Sequence, residues 1–184
     1  MRLSSEILIP ESALKARVEA MAAAITADTP EGTTLSVIAL MEGAFVFCAD
    51  LVRRLPMPIH LALVPVVSIE RGGDPRRVPL PPGLPLRGAD VLVLEDILDT
   101  GRTLSALSAR LREEAPLRLR VAVLLDKPAR RATDFRPDYR GFEVPDRWIV
   151  GYGLDMDGST GTCPTSRTSS PDDGLGASRI APIY

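Results

Sequence analysis

In "VLVLEDILDTGRTLSAL", residues 91–107, an apolar run meets Glu95 and Asp96, then Asp99, and turns through Thr100-Gly101-Arg102-Thr103 into an apolar helical pattern. The run reads as a buried strand, and open parallel sheets bind ligands at the carboxyl ends of their strands. Successive strand side chains alternate faces, so Glu95 and Asp96 are expected to diverge. One would then face a ligand's hydroxyls or a hydrated Mg²⁺ while the other braces the loop. The free N–H groups of the following turn, with the Thr100 and Thr103 hydroxyls, form a cradle for a phosphate monoester. Gly101 lets backbone approach that anion closely. Acids for sugar hydroxyls and metal, beside N–H groups for phosphate, describe a receptor for a phosphorylated ribose. Three acids at a strand end could be solvated turn chemistry, but the apolar strand before them and the helix after them argue against it.

Strands and crossovers must position such a receptor. A helix is predicted over "PESALKARVEAMAAAITAD", with Ser12 as its N-cap and a stop at Asp28-Thr29-Pro30. "TLSVIALM" reads as a strand ending at Glu42-Gly43, and "AFVFCADLVRRL" as a helix that Pro56 ends. "IHLALVPVVSI" is a second strand, set at a sheet edge or a bulge by Pro65. Residues 70–88 are rich in Gly, Pro and Arg and read as a long loop of the lid type. "DVLVLEDI", "LRVAVLLDK" and the shorter "RWIVGYGL" complete the strands, with the helix "TLSALSARLREEA" between the first two. Alternating strands and helices imply right-handed crossovers and a mostly parallel sheet covered on both faces.

Composition narrows the functional classes. A chain of 184 residues with formal net charge −2 carries no basic block of the kind that binds nucleic acid. It has no signal-peptide pattern and no apolar run of membrane-spanning length, and its two cysteines, Cys48 and Cys163, have neither disulfide-framework nor metal-ligand spacing. A reducing cytoplasm is the expected location. His60, the only histidine, sits in the edge-like strand and reads as structural. Arginine is abundant, whereas Lys15 and Lys127 are the only lysines.

"VLVLEDILDTGRTL" resembles the phosphoribosyl-pyrophosphate (PRPP) loop of type I phosphoribosyltransferases. "IALMEGAFVFCADLVRRL", "VAVLLDKPARR" and "DYRGFEVPDRWIVGYGLD" narrow the resemblance to the hypoxanthine-guanine enzymes, in order and spacing, over roughly residues 6–158. The resemblance implies the type I fold, an α/β domain with a mostly parallel central sheet flanked by helices and a small hood lobe over residues 1–158. It implies purine salvage, with PRPP and a 6-oxopurine as ligands, Mg²⁺ as cofactor, and a homo-oligomer, dimer or tetramer. By the same resemblance Glu95 and Asp96 hold the ribose hydroxyls directly or through Mg²⁺. Asp99 sits near purine N7 as general base or acid, and Asp99 through Thr103, Arg102 included, wraps the 5′-phosphate. Lys127 donates to the purine 6-oxo group, Trp148 stacks on the base, and Ile149 offers backbone groups to its edge. Asp155 is the second acid associated with Mg²⁺. Glu42 and Gly43 occupy the pyrophosphate loop.

Three positions depart from the pattern. Glu42 stands where the family commonly has Lys. Ser68-Ile69 stands where the mobile loop has Ser-Tyr. From Ser159 the tail "STGTCPTSRTSSPDDGLGASRIAPIY" replaces the expected Tyr-Arg and Leu-Pro-Tyr. Without periodicity, residues 159–184 read as a poorly ordered tail. Read one base earlier, however, the commonest codons for Ser159–Thr165 spell a segment compatible with Tyr-Arg-x-Leu-Pro-Tyr, which suggests the family's C-terminus out of frame. Two alternatives stay open: a non-catalytic or regulatory PRPP-binding protein, and a xanthine-preferring transferase.

Overall fold

The computed structural model describes residues 3–41, 43–65, 80, 82–154 and 165–169. Five parallel strands form the central sheet: β2 (Leu35–Met41), β3 (Ile59–Pro65), β4 (Asp90–Leu98), β5 (Arg118–Asp126) and β6 (Tyr139–Glu143), in the order β3-β2-β4-β5-β6. β4 is the central strand and pairs in parallel with β2 and β5. Helices α1 (Glu11–Ala27), α2 (Phe45–Val52) and α3 (Arg102–Glu113) flank the sheet.

Period-two alternation divides the apolar residues of the inner strands between two cores. Val37, Ala39, Leu92, Leu94, Ala122 and Leu124 pack with Leu14, Val18, Phe47 and Leu51 of α1 and α2. Their neighbours Ile38, Leu40, Val91, Val93, Val121 and Val123 pack with Leu104, Leu107 and Leu111 of α3. Both faces are therefore dry along the middle of the sheet, and a polar side chain on β4 or β5 reaches a ligand only near the strand's carboxyl end. At the opposite end, buried Asp90 takes ion pairs from Arg118 and from Arg120, the latter at 2.9 Å, which anchors the starts of the same two strands.

A second sheet of three antiparallel strands is built from β1 (Leu3–Ile9), β7 (Trp148–Val150) and β8 (Ser166–Ser169), in the order β1-β8-β7. "RWIVGYGL" thus supplies a strand to this smaller sheet and not to the central one. β1 and β6 are strands that the sequence reading did not assign. In β6 the glycine of "YRGFE" interrupts the alternation that marks a strand. β8 lies inside the 159–184 segment, for which the sequence suggested no element.

The edge position expected for the Pro65 strand is found, with β3 outermost and His60 exposed. Ser12 is not the cap of α1. The helix starts one residue before it, the N-cap residue is Pro10 without a side-chain hydrogen bond, and the Pro10 carbonyl accepts from Ala13 and Leu14 N–H at 3.0 and 3.1 Å. Cys48 is buried, which pushes its thiol up to about 11. Residues 66–79, with Ser68, Ile69 and most of the expected lid, lie outside the described residues, as do Cys163 and most of the tail.

Candidate active site

Pairing between β2 and β4 ends at Ala39 and Leu94, whereas pairing between β4 and β5 continues to Leu98 and Asp126. From Glu95 onward β4 is held on one side only, and its alternation shifts, since Leu94 and Ile97, three residues apart, pack in the same core while Leu98 packs in the other. The expected divergence of Glu95 and Asp96 is not found, because their side chains interact directly. Loss of solvent holds the Glu95 carboxyl well above the usual carboxylate range, and the adjacent Asp96 charge adds to this. Asp96 is buried, and its Oδ1 accepts from the Ile97 N–H at 2.8 Å. A Cβ on Gly43 would lie 1.8 Å from Asp96 Oδ2, so only glycine allows this carboxylate to sit against the loop after β2.

Two crowded carboxyl groups of this kind are the oxygen donors that a hard divalent cation takes. Among the described residues no group of three or more His, Cys, Asp or Glu could hold a metal ion alone. The pair therefore fits an ion that shares its coordination with a ligand's oxygens. Glu42 and Asp155 lie outside the described residues.

After Leu98 the chain turns through Asp99 and Thr100. Gly101 adopts φ +81°, a left-handed conformation that precedes α3. Arg102 and Thr103 open the helix, so the turn presents N–H groups at a helix N-terminus. The segment after β5 packs behind this turn. Lys127 N–H donates to Leu98 O and Ala132 N–H to Thr100 O, both at 2.9 Å.

That segment also brings charge to the site. Lys127 is only 7% exposed and forms no ion pair among the described residues. Burial lowers its ammonium below the usual lysine range, against the opposing pull of Asp99 and Asp146, and Arg130 adds to the lowering. Arg130 Nε lies 2.7 Å from Asp99 Oδ1, and its Nη1 lies 3.6 Å from Asp146 Oδ1. The Nε–H does not point along the shorter contact, so Asp99 Oδ1 accepts no hydrogen bond among the described residues.

Asp146 leads directly into β7, where Trp148 is half-buried with its indole N–H unpartnered among the described residues. Ile149 is in the core, and its backbone lies opposite Thr168 of β8. The next turn is anchored by Tyr152, whose φ is +56° and whose hydroxyl donates to Asp50 Oδ2 of α2 at 2.7 Å.

The fold thus brings Glu95, Asp96, Asp99, Thr100, Gly101, Arg102 and Thr103 to one strand end, with Gly43 on one side and Lys127 on the other. Arg130 ties Asp99 to the approach to Trp148. Sequence reasoning missed Arg130 and Arg131. The only signal was their adjacency to Lys127 in "DKPARR", and nothing in the sequence turns those side chains toward the loop.

Comparison with known proteins agrees with this geometry. Residues 5–157 match the phosphoribosyl transferase domain family. The hypoxanthine phosphoribosyltransferase of Salmonella typhimurium is 36% identical over 159 residues, covering 84% of this chain and 89% of that protein. The hypoxanthine-guanine phosphoribosyltransferase of Aquifex aeolicus is also 36% identical, covering 82% and 86%. The crystal structure of a hypoxanthine-guanine phosphoribosyltransferase from Bacillus anthracis superposes with a TM-score of 0.81 at 34% identity, covering 90% of this chain and 97% of that one. The sheet order, the loop geometry and these likenesses converge: the chain belongs to the phosphoribosyl transferase family, alongside the hypoxanthine and hypoxanthine-guanine phosphoribosyltransferases.

Proposed function

We propose that this protein transfers the 5-phosphoribosyl group of PRPP to hypoxanthine or guanine, giving IMP or GMP and pyrophosphate, and so serves purine salvage. The observation that carries this reading is a buried lysine and a carboxylate set at the ends of adjacent parallel strands. Lys127 after β5 and Asp99 after β4 interact electrostatically beside a turn of N–H groups.

In the reaction a purine nitrogen displaces pyrophosphate from the anomeric carbon through an oxocarbenium-like state. The N–H groups from Asp99 to Thr103 hold the 5′-phosphate, and Glu95 and Asp96 take the ribose hydroxyls. Asp99 Oδ1, which among the described residues accepts no hydrogen bond and is held by the Arg130 ion pair alone, accepts or returns the proton at N7. The Lys127 ammonium donates to the 6-oxo oxygen and disfavours adenine, which presents a donor there. Trp148 supplies the stacking face. Glu95 and Asp96, together with Asp155, would hold Mg²⁺, which would supply neutralising charge for the departing pyrophosphate, and the Gly43 loop would supply backbone groups to it. Arg130 must release Asp99 when the purine is seated.

The test is turnover of PRPP with hypoxanthine, guanine and xanthine. We expect the first two to be used, and Asp99→Asn to lose roughly 10²-fold or more in kcat. PRPP binding without turnover of any of the three overturns the enzymatic reading in favour of a binding protein. A homo-oligomer, dimer or tetramer, and a cytoplasmic location accompany this proposal. No helix among the described residues is long and apolar enough to cross a membrane.

We further propose that the tail from about residue 159 is the family's C-terminus read out of frame. Ser166 supports this, since it is 0% exposed and its hydroxyl has no hydrogen-bond partner among the described residues. A serine codon of the form TCN, read one base earlier, becomes NTC, whose readings are Phe, Leu, Ile and Val. Every reading places an apolar side chain at this dry position. Resequencing the coding DNA tests the proposal, and codons for Ser159–Thr165 incompatible with the alternate reading overturn it.

A further inference from the structure

Four successive carbonyls line the back of the phosphate turn. Leu98 O accepts from Lys127 N–H at 2.9 Å, Thr100 O from Ala132 N–H at 2.9 Å, and Gly101 O from Ser105 N–H at 2.9 Å. Asp99 O is different: among the described residues it accepts only from a side chain, Arg131 Nε at 3.2 Å. In a trans peptide the carbonyl of one residue and the N–H of the next point in opposite directions. Each carbonyl held in this way turns the following N–H, from Asp99 to Arg102, to the opposite side of the turn, where the Arg102 N–H also meets Thr100 Oγ1 at 3.4 Å. Backbone performs this for three of the peptides, and Arg131 performs it for the Asp99–Thr100 peptide.

The guanidinium is built in place. Arg131 Nη1 donates to Phe135 O at 2.7 Å, Nη2 pairs with the Asp126 carboxylate, and the side chain is 15% exposed. The same Nη2 reaches Leu98 O at 3.5 Å. Its Cδ passes 2.9 Å from where a Cβ on Gly101 would stand, so the absence of that Cβ is what lets it lie behind the turn. Arginine suits this position because one rigid fork serves a carboxylate and several carbonyls at once.

We propose that Arg131 is a positioning residue for the 5′-phosphate: it never touches the substrate, but it fixes the peptide whose N–H faces the phosphate. This rests on the reading of the turn as the phosphate site of a phosphoribosyltransferase. The effect should fall on binding of the phosphorylated ligand and not only on stability.

The experiment titrates IMP into the full chain by calorimetry and records the ³¹P resonance of bound IMP, for wild type, Arg131→Ala, Arg131→Lys and Arg118→Ala. Arg118→Ala is the stability control, because it breaks an ion pair with Asp90 at the far end of the same two strands. We expect Arg131→Ala to weaken IMP by about tenfold or more and to move the bound ³¹P shift toward that of free IMP, with Arg131→Lys intermediate. Arg118→Ala should leave IMP affinity within about twofold at a comparable loss in Tm. If Arg131→Ala does not fold, Arg131→Lys decides: unchanged affinity and ³¹P shift overturn the proposal. Wild-type affinity in Arg131→Ala, or equal weakening by Arg118→Ala, overturns it as well, while IMP binding by the wild type keeps the functional reading standing. A wild type that binds no IMP refutes both.

Discussion

Alanine at Gly101 would perturb the turn proposed to hold the 5′-phosphate in two separable ways. The residue sits at φ +81°, where an L side chain costs about 1–2 kcal/mol. The new Cβ would also stand 2.4 Å from Thr133 Oγ1 and 2.9 Å from Arg131 Cδ. A displaced Thr133 gives up its 3.3 Å hydrogen bond with the Ser105 hydroxyl, and overpacking of this kind costs about 1–3 kcal/mol. The two effects together amount to about 2–5 kcal/mol. At about 2–4 °C per kcal/mol for a chain of this length, Tm should fall by roughly 4–20 °C in a thermal melt. Thr133→Ala removes the nearer obstacle, so Gly101→Ala should be milder in that background, with a coupling of about 1 kcal/mol, while the cost of the left-handed backbone remains. PRPP affinity should fall in both backgrounds. A Tm within about 1 °C of wild type, or strictly additive effects of the two substitutions, would refute the argument that Gly101 is required by both conformation and contact.

Burial lowers the Lys127 ammonium below the usual lysine range. Between its folded value and that of free lysine, the folded state has already lost the proton that the unfolded state still holds. Raising pH through this window should therefore increase the contribution of Lys127 to stability while weakening 6-oxopurine binding. Opposed trends in Tm and in hypoxanthine affinity would support this, and Lys127→Met should abolish both. Glu95→Gln removes a desolvated acid from beside Asp96, and should raise stability by roughly 0.5–2 kcal/mol in chemical denaturation while lowering kcat/KM for PRPP; a loss of stability would contradict the crowding of the pair. Ser166→Val replaces an orphaned buried hydroxyl with a methyl group, and should stabilise the protein by about 1 kcal/mol in chemical denaturation; destabilisation would indicate a partner for that hydroxyl.

The strand-turn-helix of residues 90–113 was legible because its signals are local. The apolar run, the Thr100-Gly101 turn and the helical spacing after it all lie within one stretch of chain. Lys127 was legible for another reason, as one of only two lysines, set at the end of an apolar strand. β6 was not legible, since five residues broken by a glycine carry little periodicity until β5 lies beside them. Ser12 misled because a good cap type stands one residue inside a helix whose start is set by Pro10. The behaviour of Glu95 and Asp96 could not be read from alternation, because the alternation shifts between Leu94 and Ile97, which pack in the same core, near where β2 leaves β4.

The sequence by itself singled out the residues proposed to carry the chemistry: the acids and the glycine of the turn, and the lysine after β5. Residue type and local spacing marked the turn, and the family resemblance assigned the lysine its role. Only the tertiary structure decided how those groups are held. Arg131 reads in sequence as one of many exposed arginines. It becomes the donor to Asp99 O only because parallel pairing sets the ends of β4 and β5 side by side, and the direction of an N–H in a turn depends on what holds the carbonyl behind it.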